Sequence, residues 1–285
     1  LIVHIADMEA LPLIVKRIPE AARRLADKYW PGPLTMIFEK ADCVPKETTG
    51  GLNTVAVRMP ADRIARAMIT AAGGYVAAPS SNRSGRPSPT TARHVIEDME
   101  MIIDGGDTQI GLESTIIDLT GGKPEILRPG SVTEEMVKEA IGNVETQGAV
   151  PEDGAAPKAP GMKYRHYAPR GELTIVEGAA GRVISFINGQ LELSGQSGKR
   201  TGVIATDETE ESYRADSVKS VGKRADEARI ARRIFRILRE FDDEGIEVIY
   251  AESFENTGLG CAIMNRLLKA AGHRVIRLDE DREDR

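Results

Sequence analysis

The sequence predicts two α/β domains joined by a linker. Its 285 residues favour two domains over one. Short apolar runs alternate with segments of helical periodicity on both sides of residues 145–160, which are rich in Gly, Ala and Pro and have little periodicity. We therefore expect a first domain over residues 1–144, a linker over 145–170 and a second domain over 171–285.

The first domain is predicted to mix short strands with short helices. Apolar residues at helical spacing over 9–29 predict a helical stretch that Pro12 and Pro19 split in two. Extended or strand segments are predicted over 1–5, 34–38, 54–58, 75–78, 101–104, 114–119 and 124–128. Further helices are predicted over 62–72, 91–99 and 133–141, the last with Thr133 as its N-cap.

The second domain alternates strands and helices, which is typical of a small parallel α/β domain. Strands are predicted over 173–177, 201–205, 247–251 and 274–278, and helices over 225–241 and 261–271. The first of these helices is strongly amphipathic, because Ile230, Ile234, Ile237, Leu238 and Phe241 fall on one face.

Composition limits the classes of function. Aromatic residues make up only 4% and the net charge is −6, which argues against a broad nucleic-acid surface but leaves room for a small basic pocket. Cys43 and Cys261 form no CxxC pair, so a disulfide scaffold or a cysteine zinc site is not expected. Without a signal peptide or a membrane-spanning apolar run, we expect a cytoplasmic protein that does not contact a membrane.

The densest candidate site is the loop over residues 77–91, between a predicted strand and a predicted helix. Its hydroxyls, its glycine and the backbone N–H groups at a helix N-terminus suit a phosphate, although a solvated loop with an N-cap fits the composition equally well. The Gly-Lys-Ser/Thr ending of a Walker A loop is absent.

Other polar groups follow strands, where open α/β sheets place their ligands. Arg58 could hold a carboxylate through two parallel hydrogen bonds, or it could form a surface salt bridge. Small polar or cationic groups also lie at 111–115 and 128–130. Residues 160–169 concentrate tyrosines, a histidine and two cations between prolines, which indicates either a functional segment or an anchored linker.

In their order and spacing these stretches resemble the threonylcarbamoyl-AMP synthase family in its long form. The stretches that carry the resemblance are 1–5, 30–35, 54–60, 78–90, 111–115, 128–130 and 160–169. The resemblance implies a YrdC-like twisted open mixed sheet with helices, followed by a smaller Rossmann-like α/β domain. The family opens with a strand and a basic segment that this sequence lacks, so an N-terminally truncated chain is expected.

The resemblance also implies a reaction, in which L-threonine, bicarbonate and ATP give threonylcarbamoyl-AMP and pyrophosphate. The product serves tRNA threonylcarbamoyl-transferase proteins, which modify tRNAs that read codons starting with A. Mg²⁺ is expected with ATP, and no protein-bound metal or catalytic base is expected.

The site residues follow by position. Threonine is expected to contact His4, Arg58, Ala78 and Ser114, and ATP to contact Thr54, Ser80, Ser88, Arg128 and Tyr164. Arg165, His166 and Tyr167 are expected to form a lid with Tyr164. Two other functions stay open: a double-stranded RNA-binding factor, and an accessory protein that handles carbamoyl-adenylate. If the protein is a synthase, only weak RNA binding is expected.

Overall fold

The computed structural model describes residues 1–146 and 167–278, which form two compact units. The described part of the first unit comprises residues 1–80 and 113–146, and that of the second comprises 81–112 and 167–278. This division differs from the expected boundary near residue 144, because residues 81–112 cluster with the second unit although they connect two strands of the first. Both described ends of the expected linker also join a unit: Glu145–Thr146 pairs as a strand, and Tyr167 and Ala168 are buried.

The first unit is built on a mixed sheet with helices. Its strands are β1 (Ile2–Ile5), β2 (Leu34–Glu39), β3 (Thr54–Arg58), β4 (Tyr75–Ala78), β5 (Thr115–Asp118), β6 (Glu125–Arg128) and β7 (Glu145–Thr146). Its helices are α1 (Leu11–Ile14), α2 (Glu20–Tyr29), α3 (Lys46–Thr49), α4 (Arg63–Ala71) and α5 (Glu134–Ile141). The strand order is β4-β1-β3-β2-β5-β6-β7, so the first residues of the chain form an interior strand.

The two faces of this sheet differ in chemistry because successive side chains of a strand alternate between faces. On one face Val3, Met36 and Val57 join the main core cluster, together with Leu25 of α2 and Val137 of α5. The opposite face carries only a small apolar cluster of Ile37, Ala56, Ile116 and Leu127, with Ile2 packed against it. The same face also carries the polar residues described below.

The second unit is built on a parallel sheet. Its strands are β8 (Glu172–Glu177), β9 (Thr201–Ala205), β10 (Ser217–Ser220), β11 (Val248–Glu252) and β12 (Val275–Arg277), and its helices are α6 (Ala180–Gln196), α7 (Glu227–Asp243) and α8 (Gly258–Ala270). The order β10-β9-β11-β8-β12 has parallel pairing throughout, as the alternating pattern predicts. The apolar face of α7 is buried as predicted.

Most element predictions are confirmed, and Pro19 does separate two helices as the N-cap of α2. Two predictions are wrong. Only Ala92–His94 of the helix predicted over 91–99 forms, as a 3-10 turn, and residues 101–104 form no strand. Met101 and Ile103 are 84% and 60% exposed, so these apolar residues have no sheet face to pack on.

One long helix is absent from the predictions. Gly181, Gly189 and Gly195 weaken the helical pattern of α6, since glycine is a poor helix former. The helix forms nevertheless, because Val183, Ile187 and Leu191 are spaced one turn apart and are buried together. No helix among the described residues has the length and apolarity to cross a membrane.

Candidate active site

Polar side chains form a row across the sheet of the first unit. His4 of β1 pairs with Arg58 of β3, and Arg58 in turn pairs with Thr35 of β2. Directly paired residues point to the same face of a sheet. The row continues through Ile116 of β5 to Arg128 of β6, so that four strand spacings, about 19 Å, separate its ends. Two arginines and a histidine therefore lie along one line on the face opposite the main core cluster.

Hydrogen bonds tie the middle of this row to Ser114, which immediately precedes β5. The hydroxyls of Thr35 and Ser114 are 2.7 Å apart and both are buried. Arg128 Nε and Nη2 donate to the Ser114 carbonyl oxygen at 3.0 Å and 2.9 Å, and Nη2 also approaches Ser114 Oγ at 3.2 Å. Ser114 is thus held from two sides, by Thr35 and by Arg128.

A tight turn holds Arg58. Its Nε donates to the Gly32 carbonyl oxygen at 3.0 Å, and Gly32 N donates to the Met59 carbonyl oxygen at 2.8 Å. A Cβ at Gly32 would lie 2.3 Å from the Tyr29 carbonyl oxygen, so only glycine fits there. The turn fixes the plane of the guanidinium group at the end of β3.

The row is electropositive and partly dehydrated. Burial and then the charge of Arg58 lower the pKa of His4 to about 4, so this imidazole is neutral at pH 7. Burial and then the charge of Arg128 lower the pKa of Arg58 to about 10. A bound anion would oppose both shifts, because it favours the protonated form of each group. The electrostatics of the row therefore favour an anionic ligand.

Two buried polar atoms near this row have no hydrogen-bond partner within the described chain. They are Nδ1 of His4 and Oγ of Ser131. Ser131 follows Gly130, where an added Cβ would lie 2.5 Å from Thr115 N and 2.7 Å from Thr115 Oγ1. Buried polar atoms usually have partners, so these two are candidates for contacts to a ligand.

Other predicted residues of the first unit lie away from the row. Ala78 pairs with Ile2, two residues along β1 from His4, and presents a small side chain on the same face. Thr54 begins the strand that Arg58 ends, about 13 Å away along the same face. Ser80 lies two residues beyond the end of β4. His4, Arg58 and Arg128 thus lie in the row, and Ser114 is hydrogen-bonded to it, whereas Thr54, Ala78 and Ser80 lie outside it.

The remaining predicted residues belong to the second unit or are not described. Ser88 lies in the second unit and is 9% exposed. Tyr164, Arg165 and His166 lie outside the described residues. Tyr167 is 1% exposed and its ring lies 5.1 Å from that of Phe235 in the second unit, and its expected place in a lid stays a prediction.

No role is predicted for Thr35 from the sequence, although it lies within one of the stretches that carry the family resemblance. A hydroxyl residue in the otherwise apolar start of the strand Leu34–Phe38 was the available indication. Its importance became visible only when the sheet placed it between Arg58 and Ser114.

The chemistry of the row does not fit a resident metal ion. Its groups are cationic or hydroxylic, whereas Mg²⁺ requires oxygen ligands and usually carboxylates. Within residues 1–146 and 167–278, no group of three or more His, Cys, Asp and Glu side chains is placed to hold a metal ion.

Comparison with known proteins identifies the family. Residues 1–130 match a family model described as "Telomere recombination", and residues 132–272 match one described as "Threonylcarbamoyl-AMP synthase, C-terminal domain". A Pyrococcus abyssi relative named threonylcarbamoyl-AMP synthase is 48% identical, and the match covers 98% of this chain and 82% of that protein. The chain belongs to the threonylcarbamoyl-AMP synthase family.

Further relatives agree with this assignment. A Bacillus subtilis threonylcarbamoyl-AMP synthase is 45% identical over 97% of this chain and 80% of its own length. The crystal structure of Pyrococcus abyssi Sua5 complexed with L-threonine matches with a TM-score of 0.91 and 47% identity, over 98% of this chain and 82% of that one. The predicted family, two-domain α/β fold and enzyme class of a threonylcarbamoyl-AMP synthase are therefore confirmed.

Proposed function

We propose that this protein is an L-threonylcarbamoyladenylate synthase that converts L-threonine, bicarbonate and ATP into threonylcarbamoyl-AMP and pyrophosphate. One observation carries the proposal: His4, Arg58 and Arg128 lie in a single row on the sheet, with the buried hydroxyls of Thr35 and Ser114 between the arginines. L-Threonine, bicarbonate and ATP all present anionic oxygens, and this row offers cations and hydroxyl groups to receive them.

The end of the row near β1 suits threonine. Arg58 is already oriented by the Gly32 carbonyl, so its guanidinium can bind the threonine carboxylate. His4, neutral at pH 7, offers an unpaired Nδ1, and Ser114 offers its hydroxyl group. Ala78 lies on the same face, where its methyl group leaves room for a small side chain. Threonine therefore contacts His4, Arg58, Ala78 and Ser114.

The ATP contacts combine one residue of the row with residues farther along the chain. Arg128 is buried and neutralises phosphate charge, while Thr54, Ser80 and Ser88 supply hydroxyl groups. Tyr164 as a further ATP contact, and Arg165, His166 and Tyr167 as a lid, complete the proposal, and of these four residues only Tyr167 is among the described residues. Mg²⁺ enters on the phosphates of ATP, as part of the substrate.

The chemistry needs positioning more than a protein base. Threonine's amine and bicarbonate first give a carbamate and water. A carbamate oxygen then forms a bond to the α-phosphorus, the bond from that phosphorus to the bridging oxygen breaks, and pyrophosphate leaves with the electron pair. Because the nucleophile is already anionic, the protein chiefly has to align it and to neutralise charge.

The product leaves for a separate reaction. Threonylcarbamoyl-AMP is a mixed anhydride, so tRNA threonylcarbamoyl-transferase proteins can transfer its acyl group to tRNA in the cytoplasm. We propose that in sequence the first domain ends near residue 144 and the second begins near residue 171. Residues 81–112 belong to the sequence of the first domain but cluster with the second unit.

The decisive experiment measures pyrophosphate release by the full-length protein from ATP, with L-threonine or bicarbonate omitted in turn. The proposal expects release only when both are present, together with formation of a threonine-containing adenylate. Equal release without threonine would identify a simple ATP pyrophosphatase and overturn the assignment.

A further inference from the structure

Residues 81–112, called the 81–112 segment below, connect the end of β4 to Ser114 and carry Ser88. The segment clusters with the second unit, not with the strands that it connects. Its last residue, Leu112, joins the core cluster that contains Ile230, Ile234 and Leu238 of α7. A Cβ at Gly111 would lie 2.4 Å from Arg232 Cα, so the two backbones touch at this point.

One side chain of α7 binds the backbone on both sides of Ser88. Arg239 Nη2 donates to the Pro87 carbonyl oxygen at 2.5 Å, and Nη1 donates to the His94 carbonyl oxygen at 3.2 Å. A single planar guanidinium therefore bridges two carbonyl groups that are seven residues apart in the chain. Pro87 is the residue directly before Ser88, so this bridge sets the direction of the backbone that enters Ser88.

Neighbouring contacts hold the approach to Ser88 in the same way. Arg86 Nη2 lies 3.5 Å from Asp242 Oδ2 on the next turn of α7, and Asp242 Oδ1 accepts a hydrogen bond from Arg170 N at 2.5 Å. Ala168 N donates to the Gly85 carbonyl oxygen at 2.8 Å. The chain is therefore held at three consecutive residues, through the backbone carbonyls of Gly85 and Pro87 and through the side chain of Arg86.

The other side of Ser88 is closed by contacts within the segment. His94 Nδ1 accepts a hydrogen bond from Thr90 N at 3.1 Å, and Thr108 N donates to the Thr90 carbonyl oxygen at 2.9 Å. The His94 carbonyl that Arg239 holds thus belongs to the same turn that fixes Thr90. Since the segment forms little regular secondary structure, these contacts, not a helix or strand ladder, determine its conformation.

We propose that Arg239 is a positioning residue of the synthase, through which helix α7 of the second unit sets the conformation of the ATP-binding loop around Ser88. The inference rests on the proposed function, because it takes Ser88 as an ATP contact. It gives the second unit a role in nucleotide binding that its sheet and helices do not reveal by themselves. The role is indirect, since Arg239 acts on ATP only through the carbonyl groups of Pro87 and His94.

The experiment compares wild-type protein with Arg239→Ala and Arg239→Lys by equilibrium titration with ATP and, separately, with L-threonine. Loss of two hydrogen bonds to the loop should weaken ATP affinity about tenfold in Arg239→Ala. Threonine affinity should stay within about twofold of wild type, because its contacts lie in the first unit. Arg239→Lys keeps the charge but reaches one carbonyl only, so it should recover just part of the ATP affinity.

Arg232→Ala is the matched control, since it removes an exposed arginine from the same helix. Unchanged ATP affinity in Arg239→Ala overturns the inference, and so does an equal loss of ATP and threonine affinity together with a lower melting temperature. If Arg239→Ala does not fold, the same comparison is made with Arg239→Lys. A wild-type protein that binds ATP but releases no pyrophosphate with threonine and bicarbonate contradicts the proposed function alone, whereas a wild-type protein without ATP affinity contradicts both.

Discussion

Arg58 ends β3 between His4 and Thr35, where the Gly32 carbonyl positions its guanidinium group. Gly32 fixes its Nε, and Arg128 lowers its pKa in the same direction as burial does. A bound carboxylate stabilises such a partly buried arginine more than it stabilises an exposed one, because burial weakens competition from water.

Arg58→Lys should separate the use of threonine from the use of ATP. Lysine keeps the positive charge but cannot form two parallel hydrogen bonds to a carboxylate while also reaching Gly32. We expect the KM for threonine to rise by about tenfold or more, and the KM for ATP to change much less. Steady-state pyrophosphate release at saturating ATP measures the first effect, and an unchanged threonine KM would exclude this role.

His4 should make stability depend on pH in a defined window. Burial lowers its pKa from 6.5 to about 4, so below pH 6.5 the unfolded chain binds a proton that the folded chain does not. The contribution is fully present above pH 6.5 and is lost as the pH falls to about 4. His4→Gln, which does not titrate, should lack this part of the pH dependence.

Urea unfolding of wild type and His4→Gln at several pH values measures the effect of His4. His273→Gln is the matched control because His273 is exposed in the second unit. Parallel stability curves for wild type and His4→Gln between pH 6.5 and 4 would contradict the depressed pKa.

At the scale of elements, the β5–β6 pair depends on a close approach that only glycine permits. Gly130 lies against Thr115, whose Oγ1 donates to the Val132 carbonyl oxygen at 2.7 Å and accepts from Val132 N at 3.1 Å. This contact closes the chain after Arg128 onto the start of β5, next to Ser114. The geometry of the row therefore depends on the turn around Gly130, in which Ser131 has the one side chain proposed to contact a ligand.

Gly130→Ala should damage both the fold and the site. The added Cβ would lie 2.5 Å from Thr115 N, which is backbone and has little freedom to move. Overpacking of this kind costs about 1–3 kcal/mol in the free energy of unfolding, and the shift of β5 should also reduce the rate of pyrophosphate release. Urea unfolding and the release assay measure the two effects.

Gly122→Ala is the control for this substitution, because nothing lies within 4 Å of a Cβ at that position in the connection between β5 and β6. We expect its stability and activity to stay close to those of wild type. If Gly130→Ala behaves like Gly122→Ala, the turn has enough freedom to relax, and the close approach does not organise the site.

At the scale of the whole molecule, the second unit includes residues 81–112, which lie in the sequence between two strands of the first unit. Leu112 joins the core of the second unit. Arg239 of α7 binds the carbonyl groups of Pro87 and His94, and Asp242 of α7 forms an ion pair with Arg86. A boundary drawn in sequence through the linker would therefore remove part of the second unit's packing. Its stability should depend on residues that precede it by more than fifty positions.

A fragment of residues 167–285 should fold less stably than the same unit within the full chain. It lacks the 81–112 segment, so the α7 surface around Arg239 and the contact site of Leu112 become exposed to water. Hydrogen exchange of α7 amides should be faster in the fragment than in the full chain. Amides of α6, which packs in a separate core cluster, serve as the internal comparison. Equal protection of α7 in both proteins would contradict a stabilising role of the 81–112 segment in the second unit.

The sequence by itself determined the elements and the identities of most candidate residues. Periodicity located α7 and the strands β8, β9, β11 and β12 of the second unit, because apolar side chains at a regular spacing are buried together, whereas β10 was not predicted. The order and spacing of short motifs, through the family resemblance, predicted that Arg58, Ser114 and Arg128 belong to one substrate-binding site. Local patterns fail where tertiary contacts override them, as in α6, whose glycines conceal a helix that its buried aliphatic face stabilises.

Only the tertiary structure decided which of these residues meet. Strand order and register placed Thr35 between Arg58 and Ser114, and neither can be read from one strand alone because pairing partners are distant in sequence. The same reason hid the place of the 81–112 segment: its contacts with α7 join residues more than a hundred positions apart, and they run through backbone carbonyls that every residue carries.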